Sequence, residues 1–501
     1  MEHPSPRIMK MYVCGPTVYS DSHIGHARIY IIVDIINKTL NNILNKPTHL
    51  VMNITDIDDK IIKAAQNKNI NWVDLAHEYE NSYFNAMTKL GVSRPDVVIR
   101  VSESIPDIVK YIQKIIDNNM AYIVSDGSVY FDSNQYKNFG YEFSEIDDIE
   151  EQQYESQVDI NIISQKKHHK DFALWKSRLI TDVGFDVEFL CNNSIIKTRG
   201  VPGWHIECSA MIQKTLGDFI DVHFGGIDLK FPHHHNECLQ ANAYHHPIYN
   251  PLYQQQNGYF SKWTHEFVHI GHLCVKGQKM SKSLKNFSTI SEIMQHVNAN
   301  QLRWLFMINK WEKPMEFTNG CIDNAISIDN IFKNFIKRVT NFTFDISDVI
   351  FSEKEFELQN FFYTIKDRIF SYLEKYKFNS VVKALHSLIT QVNLYMDKLS
   401  PNESIVSKIK LYIVELLEKL GFYYQINNTS DMSKHIMNVL IETRSQFRQL
   451  TRDKSLTSDV KECIFKILDD QRNTLLPSIG ITLEDTKDSS FWCEITNQSI
   501  D

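Results

Sequence analysis

Apolar and polar positions change period several times along the chain, and each change marks an element. Residues 9 to 14, MKMYVC, form a short apolar run ending at a Gly-Pro turn, which predicts a strand. The stretch SHIGHARIYIIVDIINKTLNNIL has helical periodicity, PTHLVMNIT reads as a second strand, and DIDDKIIKAAQ opens another helix. Strand, helix, strand, helix is how a parallel α/β sheet begins. Such a sheet binds ligands at the carboxyl ends of its strands, which is where Cys14 and Thr55 fall. Residues 115–198 break the pattern with an acidic run (SEIDDIEEQQYE), a basic run (SQKKHHK) and short strand candidates, as an insertion into the sheet domain would. From residue 326 the period becomes helical. In KALHSLITQVNLYM, Leu385, Leu388, Ile389 and Val392 recur at i, i+3, i+4 and i+7, which predicts a bundle. The polar stretch INNTSDMSK, residues 426–434, reads as a linker to a small C-terminal domain.

Composition narrows the class. At 501 residues the chain is long enough for several domains of about 150 residues each. Hydrophobic content of 43% and charged content of 23% are globular values. No apolar run approaches the roughly 20 residues that span a bilayer. MEHPSPRIMK lacks the apolar segment of a secretory signal, so a soluble, cytoplasmic protein with no membrane partner is expected. A net charge of −8 argues against a generally basic nucleic-acid coat while leaving room for a local basic face. The eight cysteines are scattered without CxxC spacing, which indicates neither a disulfide scaffold nor a zinc ribbon. A metal site would have to be assembled from distant segments.

Three stretches carry chemistry. In FPHHHNECLQ, residues 231–240, helical geometry pairs His233 with Glu237 and His234 with Cys238, and spacing alone leaves the two pairs as equal candidates for a metal. SHIGHAR places His23 and His26 around Gly25 at a helix start, where free N–H groups favour phosphate and imidazoles can stabilise charge on a reacting phosphorus. GQKMSKSLKN, residues 277–286, offers Lys279 and Lys282, two ammonium groups suited to a triphosphate from which pyrophosphate departs. Farther on, Arg444, Arg448 and Arg452 recur at i, i+4 and i+8 and predict one basic helical stripe.

HIGH and KMSKS in a parallel α/β context resemble the class I aminoacyl-tRNA synthetases. MYVCGPTVYSDSHIGHAR, NITDIDDKII, PGWHIECSAM, GGIDLKFPHHHNE and KMSKSLKNF resemble the signature blocks of the cysteinyl-tRNA synthetases among them, with KSLKN closer to the eukaryotic branch. KFNSVVKAL and GITLEDTKDSSFW extend the likeness into the bundle and the C-terminal end. The resemblance implies an α/β fold: a Rossmann-type catalytic domain (1–114 and 199–262), a connective insertion (115–198), a KMSKS and stem-contact region (263–325), a helical bundle (326–428) and an anticodon-binding domain (429–501). It implies ATP-dependent activation of L-cysteine and its transfer to tRNA(Cys) by a monomer or homodimer.

The resemblance also assigns residues. One Zn2+ per chain would be held by Cys14, Cys208, His233 and Glu237, where a substrate thiolate meets a soft acceptor that serine's hydroxyl does not match. His23, His26, Lys279 and Lys282 would be catalytic, with Gly25, His26, Asp228 and Lys282 on ATP, and Mg2+ on the departing pyrophosphate. Gly15, Thr55, Trp204 and His223 would line the amino-acid pocket, and Arg448 and Asp485 would contact the anticodon. Three positions depart from the family pattern. His235 replaces a common acidic residue, VEFLCNNSIIKTRG replaces a loop before PGWH, and a tryptophan soon after the C-terminal arginine is missing. Two other activities fit parts of the same pattern, a ligase of cysteine to an amino sugar and a non-catalytic tRNA-binding relative. The residues beyond 325 argue against the first, and intact HIGH, KMSKS and metal residues argue against the second.

Overall fold

A computed structural model describes residues 7–142, 165–250, 254–255, 262–280, 286–344, 351–397, 401–424, 431–453, 455–478, 481–485 and 490–494. The chain divides into two compact units, Met1–Cys321 and Ile322–Asp501.

The first unit opens as its apolar pattern predicts. Strand β1 (Met9–Val13) leads to helix α1 (Ile24–Asn42), strand β2 (Thr48–Ile54), helices α2 (Asp59–Lys68) and α3 (Trp72–Lys89), strand β3 (Val97–Arg100) and helix α4 (Ile105–Asp117). An insertion then forms its own antiparallel sheet from β4 (Ala121–Ile123), β5 (Val129–Phe131), β6 (Ala173–Ser177), β7 (Phe185–Cys191) and β8 (Ser194–Pro202), in the order β4-β5-β6-β8-β7. The divergent stretch VEFLCNNSIIKTRG is the β7–β8 hairpin. Its two-residue turn uses Asn192 (φ 48°) and Asn193 (φ 60°), the left-handed pair that matches strand twist. The acidic run, residues 144–155, lies outside the described residues.

The chain returns through helix α5 (Trp204–Leu216), strand β9 (Ile220–Gly226), helix α6 (His235–Tyr244) and strand β10 (Thr264–Ile270). The main sheet has the order β10-β9-β1-β2-β3 and every pairing in it is parallel. All five carboxyl ends therefore lie along one edge. The sheet runs past the boundary expected at residue 262, because β10 is paired with β9 from Thr264↔Ile220 to Ile270↔Gly226 and belongs to the same hydrogen-bonded layer. Likewise β8 continues the insertion sheet to Pro202, beyond 198. One apolar core joins both sheets through Tyr12, Val51, Ile112, Trp175, Phe189 and Met211. Three short strands complete the unit, β11 (Leu273–Val275), β12 (Gln278–Lys279) and β13 (Met315–Glu316), with helices α7 (Ile290–Ile293) and α8 (Ala299–Met307) before β13.

The second unit contains helices α9 (Asn319–Asn341, from Ile322 onward), α10 (Glu353–Glu374), α11 (Phe378–Met396) and α12 (Glu403–Lys419). Leu385, Leu388, Ile389 and Val392 of α11 are all buried, as their spacing predicts. Helix α13 begins at Asp431, so the last part of the expected linker is helical, and residues 425–430 lie outside the described residues. Helix α14 (Ser458–Asp470) and the hairpin of β14 (Ile481–Asp485) and β15 (Ser490–Glu494) follow, around a small core of Met437, Leu476, Leu483 and Trp492.

The arginines of the predicted basic stripe differ in exposure. Arg444 is 2% exposed and donates through Nη2 to Asp485 at 2.7 Å and through Nη1 to the Leu468 carbonyl at 2.5 Å. Helical spacing places a charge on a face, but it does not show that a carboxylate from a distant hairpin will cover that face.

Candidate active site and metal centre

Cys14 follows directly on β1, so the carboxyl edge of the sheet presents its sulfur. Cys208 lies one turn into α5, and the two Sγ atoms are 3.9 Å apart. The third segment is FPHHHNE. Phe231 is extended (φ −136°, ψ 135°), the helical path restarts at Pro232, and α6 continues it, so His233 and Glu237 share one face with Nε2 2.8 Å from Oε1. Ligand atoms of Cys14, Cys208, His233 and Glu237 all lie within 4.8 Å of one another and all four residues are buried. Two thiols, an imidazole and a carboxylate at such distances fit a tetrahedral divalent ion of zinc's kind.

A second set shares two of these residues: Cys14, His223, His234 and Glu237 meet the same distance criterion. His234 was a rival candidate by spacing, paired with Cys238. The structure joins His234 Nε2 to Cys14 Sγ at 3.4 Å and its Nδ1 to His269 Nε2 at 2.8 Å. Cys238 belongs to neither set. It packs against the apolar core, and burial pushes its thiol up to about 12.

Electrostatics within the cluster separate its members. Burial pushes the Cys14 thiol up, whereas the hydrogen bond from Cys14 brings Cys208 down to about 6. Burial disfavours charge on His233 and Glu237 alike, but their mutual attraction outweighs it. His233 rises to about 10, and Glu237 falls below the usual carboxylate range, held first by His223 Nε2 at 2.7 Å and then by His233. His205, kept neutral by burial, sits with Nδ1 2.9 Å from His233 Nδ1. Protonated His233 is then the donor of that bond, which leaves its Nε2 directed at Glu237 Oε1.

The pocket candidates surround this cluster. The Trp204 ring stacks on His233 with centroids 4.5 Å apart and is 38% exposed, giving an apolar wall open to a ligand. Thr55 is buried and donates to Glu207 Oε2 at 3.3 Å, and burial holds the Glu207 carboxyl well above its ordinary range. Gly15 donates to Asn53 Oδ1 at 2.8 Å, and a Cβ there would stand 1.6 Å from the Asn53 carbonyl oxygen, so only glycine passes this crossing. His223 is fully buried against Tyr12 and Glu237.

At the start of α1, His23 is the N-cap and its Nδ1 accepts from the Gly25 N–H at 3.1 Å. A nitrogen that accepts carries no proton, so the imidazole proton is on Nε2. The ring folds back over Gly25, where a Cβ would stand 2.8 Å from it, and stacks on His26 with centroids 3.9 Å apart. Lys279 reaches Asp228 with Nζ 2.9 Å from Oδ2, and although burial works against the Asp228 charge, Lys279 holds the carboxyl below its ordinary value. Lys282 lies outside the described residues.

In the second unit, Asp485 receives three arginines: Arg444 at 2.7 Å, and Arg448 and Arg472 at 3.4 Å each. A cleft beside them is lined by Arg472, Asn473, Thr482, Leu483, Glu484 and Asp485. His205, His269 and Glu207 escaped the reading by motif, and His234 was read with Cys238 rather than with Cys14 and His269. A run of three histidines singles out no face, and the partners of His234 come from β1 and β10.

Comparison with known proteins gives concordant results. Residues 1–327 match the family described as tRNA synthetases class I (C) catalytic domain. A cysteine–tRNA ligase of Acanthamoeba polyphaga mimivirus is 63% identical over 491 residues, covering 98% of this chain and 96% of that protein. A cysteine–tRNA ligase of Encephalitozoon cuniculi is 34% identical, covering 96% and 94%. Among solved structures, a Mycobacterium tuberculosis methionyl-tRNA synthetase in complex with methionyl-adenylate matches with a TM-score of 0.53 at 13% identity, over 82% of this chain and 90% of that one, a likeness of fold. Among the described residues, no helix is long and apolar enough to cross a membrane.

Proposed function

The chain belongs to the cysteine–tRNA ligase family of class I aminoacyl-tRNA synthetases, and from that membership we propose how its residues divide the work. It is an ATP-dependent ligase that activates L-cysteine as cysteinyl-adenylate and transfers the cysteinyl group to tRNA(Cys). Its relatives match along nearly its whole length, bundle and C-terminal region included, so the amino-sugar ligase is set aside.

Cys14, Cys208, His233 and Glu237 would hold one zinc ion, which supplies a soft acceptor for the substrate thiolate and so separates cysteine from serine without an editing site. The buried cluster of these four donors is the observation that carries this assignment. Trp204 and Thr55 flank the amino acid, and His205 keeps the His233 ring turned toward its partners. In the first step a carboxylate oxygen of cysteine bonds to the α-phosphorus of ATP and the bond to pyrophosphate breaks. His23 and His26 donate to the reacting phosphate, Gly25 leaves the helix start open, and Lys279 and Lys282 neutralise the departing pyrophosphate beside Asp228. Mg2+ bound with the nucleotide would add charge neutralisation there. In the second step a hydroxyl of the terminal ribose attacks the carbonyl carbon and AMP leaves. Arg448 and Asp485 contact the anticodon, and Asp485 also holds Arg444, Arg448 and Arg472 beside it. The cytoplasm is the expected compartment.

Cysteine-dependent exchange of pyrophosphate into ATP, followed by charging of tRNA(Cys), tests the whole reading. Exchange and charging together are expected. Absence of exchange overturns it, and exchange without charging returns the amino-sugar ligase.

The metal assignment has a proton signature. At about pH 7.5 the metal-free cluster holds one proton on Cys14 and one on His233, whereas Cys208 and Glu237 are already ionised. All four ligands bind deprotonated, so zinc uptake is expected to release about two protons and to tighten as pH rises. Calorimetric titration in two buffers of different ionisation enthalpy reads that number, and a value near zero would contradict the four-residue set.

A further inference from the structure

We propose that Arg28 is a positioning residue that sets the reach of Lys279 to the HIGH helix, so that adenylate formation depends on it and transfer to tRNA does not. The inference rests on the ligase reading above and assigns a residue that this reading leaves without a role.

Arg28 follows His26 by two positions and is 1% exposed. Among the described residues its guanidinium donates to main-chain carbonyls alone. Nη1 reaches His272 at 2.6 Å, and Nη2 reaches Lys313 at 2.7 Å, Lys310 at 3.2 Å and Trp311 at 3.4 Å. Among the described residues it has no carboxylate partner, so ion pairing does not explain why a guanidinium is buried here. Arg303 makes the contrast. It is equally buried, but it pairs with Asp34 of α1 at 2.8 Å, as an arginine that braces two helices does.

The four carbonyls come from two segments far apart in sequence, which the main chain also joins through the Gly271 N–H to the Trp311 carbonyl and the Met315 N–H to the His272 carbonyl, each at 2.9 Å. His272 lies between β10 and β11, and residues 310–313 lie between α8 and β13. A Cβ on Gly271 would stand 2.3 Å from the Lys313 carbonyl oxygen, so the two backbones touch there. Immediately beyond, β11 pairs with β13 (Leu273↔Met315, Cys274↔Glu316) and with β12 (Cys274↔Lys279, Val275↔Gln278). Lys279 is therefore seated on a three-strand base that Arg28 grips at its root. The chain re-enters the same helix start on the far side of KMSKS, where the Ile24 N–H donates to the Ser288 carbonyl at 3.0 Å and the Ile290 N–H to the Ser22 carbonyl at 3.1 Å. Both flanks of the lysine-bearing segment are thus referenced to α1, one by Arg28 and one by main chain.

A planar fork with five donors can hold two backbone segments at once, whereas an ammonium or an apolar chain cannot fix their spacing. Misplacement by about 1 Å costs on the order of a hundredfold in rate. That cost should fall on the step in which pyrophosphate leaves, the step that uses the lysines.

The test uses the full chain with zinc bound, as wild type, Arg28→Lys and Arg28→Met. Active sites are titrated so that rates refer to folded protein, and melting temperature and zinc content are recorded alongside. Pyrophosphate exchange per site is expected to fall about a hundredfold in Arg28→Met and less in Arg28→Lys. Transfer to tRNA from supplied cysteinyl-adenylate should stay within about twofold of wild type in both. Unchanged exchange per titrated site with a lowered melting temperature would make Arg28 a structural pin, and an equal loss in both steps would make it a general brace of the site; either overturns the proposal. If Arg28→Met yields no folded protein, Arg28→Lys alone is judged by the same two rates. A wild type without exchange fails the ligase reading instead, so the two failures are distinguishable.

Discussion

His233→Ala should empty the metal site and reduce cysteine-dependent pyrophosphate exchange by more than about a thousandfold, while Cys238→Ser should leave both unchanged. Both residues stand in the same short helical stretch, and spacing alone gave each a partner one turn away. The difference lies in what the rest of the fold brings to them. His233 meets Glu237 at 2.8 Å and shares a pocket with the sulfurs of Cys14 and Cys208, whereas the Cys238 thiol is pressed against the apolar core and belongs to neither donor set. Loss of His233 also leaves Glu237 buried with one partner fewer, so the melting temperature should fall and not recover with added zinc. Metal content by plasma emission together with exchange is the measurement, and a Cys238→Ser protein without zinc would sink the assignment.

His234→Ala is the finer discriminant between the two overlapping donor sets. His234 Nε2 stands 3.4 Å from Cys14 Sγ and its other nitrogen is fixed by His269, which suits a group that orients a ligand sulfur. This variant should retain zinc with affinity lower by about 10- to 100-fold. If it empties while His233→Ala stays filled, Cys14, His223, His234 and Glu237 are the ligands.

The parts of the fold legible in the sequence are those whose evidence is local. MKMYVC, PTHLVMNIT and the α1 pattern predict their elements because an apolar period is a property of a few consecutive residues, and the four buried positions of α11 are legible for the same reason. Pairings across long separations were not. Cys14 and Cys208 meet over 194 residues, and no spacing rule joins them; only the resemblance of flanking blocks did so. The strand β10 follows a segment of mixed composition, and its membership of the parallel sheet is a fact about β9. Arg444 shows the same limit for charge. It lies on a helix face with Arg448 and Arg452, but Asp485, 41 residues on, turns it inward.

His23→Asn should separate two roles that one imidazole combines. In the structure His23 caps α1 through Nδ1, and the proton this leaves on Nε2 is the one available to a phosphate oxygen. Asparagine is among the best N-caps, so His23→Asn should keep the helix start and a melting temperature close to wild type. It lacks the Nε2–H donor at imidazole reach. Removing one donor that acts on charge developing in a transition state costs about 10²- to 10³-fold, and the exchange rate should fall by that factor with zinc content and the KM for cysteine unchanged. His23→Ala should show the same loss and in addition a destabilisation of about 1 kcal/mol, the usual cost of an unfilled cap. The comparison turns on the asparagine variant, because capping and catalysis predict opposite results for it. If His23→Asn exchanges pyrophosphate at the wild-type rate, the first histidine of HIGH serves the helix alone, and the charge on the reacting phosphate must be met by His26 and the lysines.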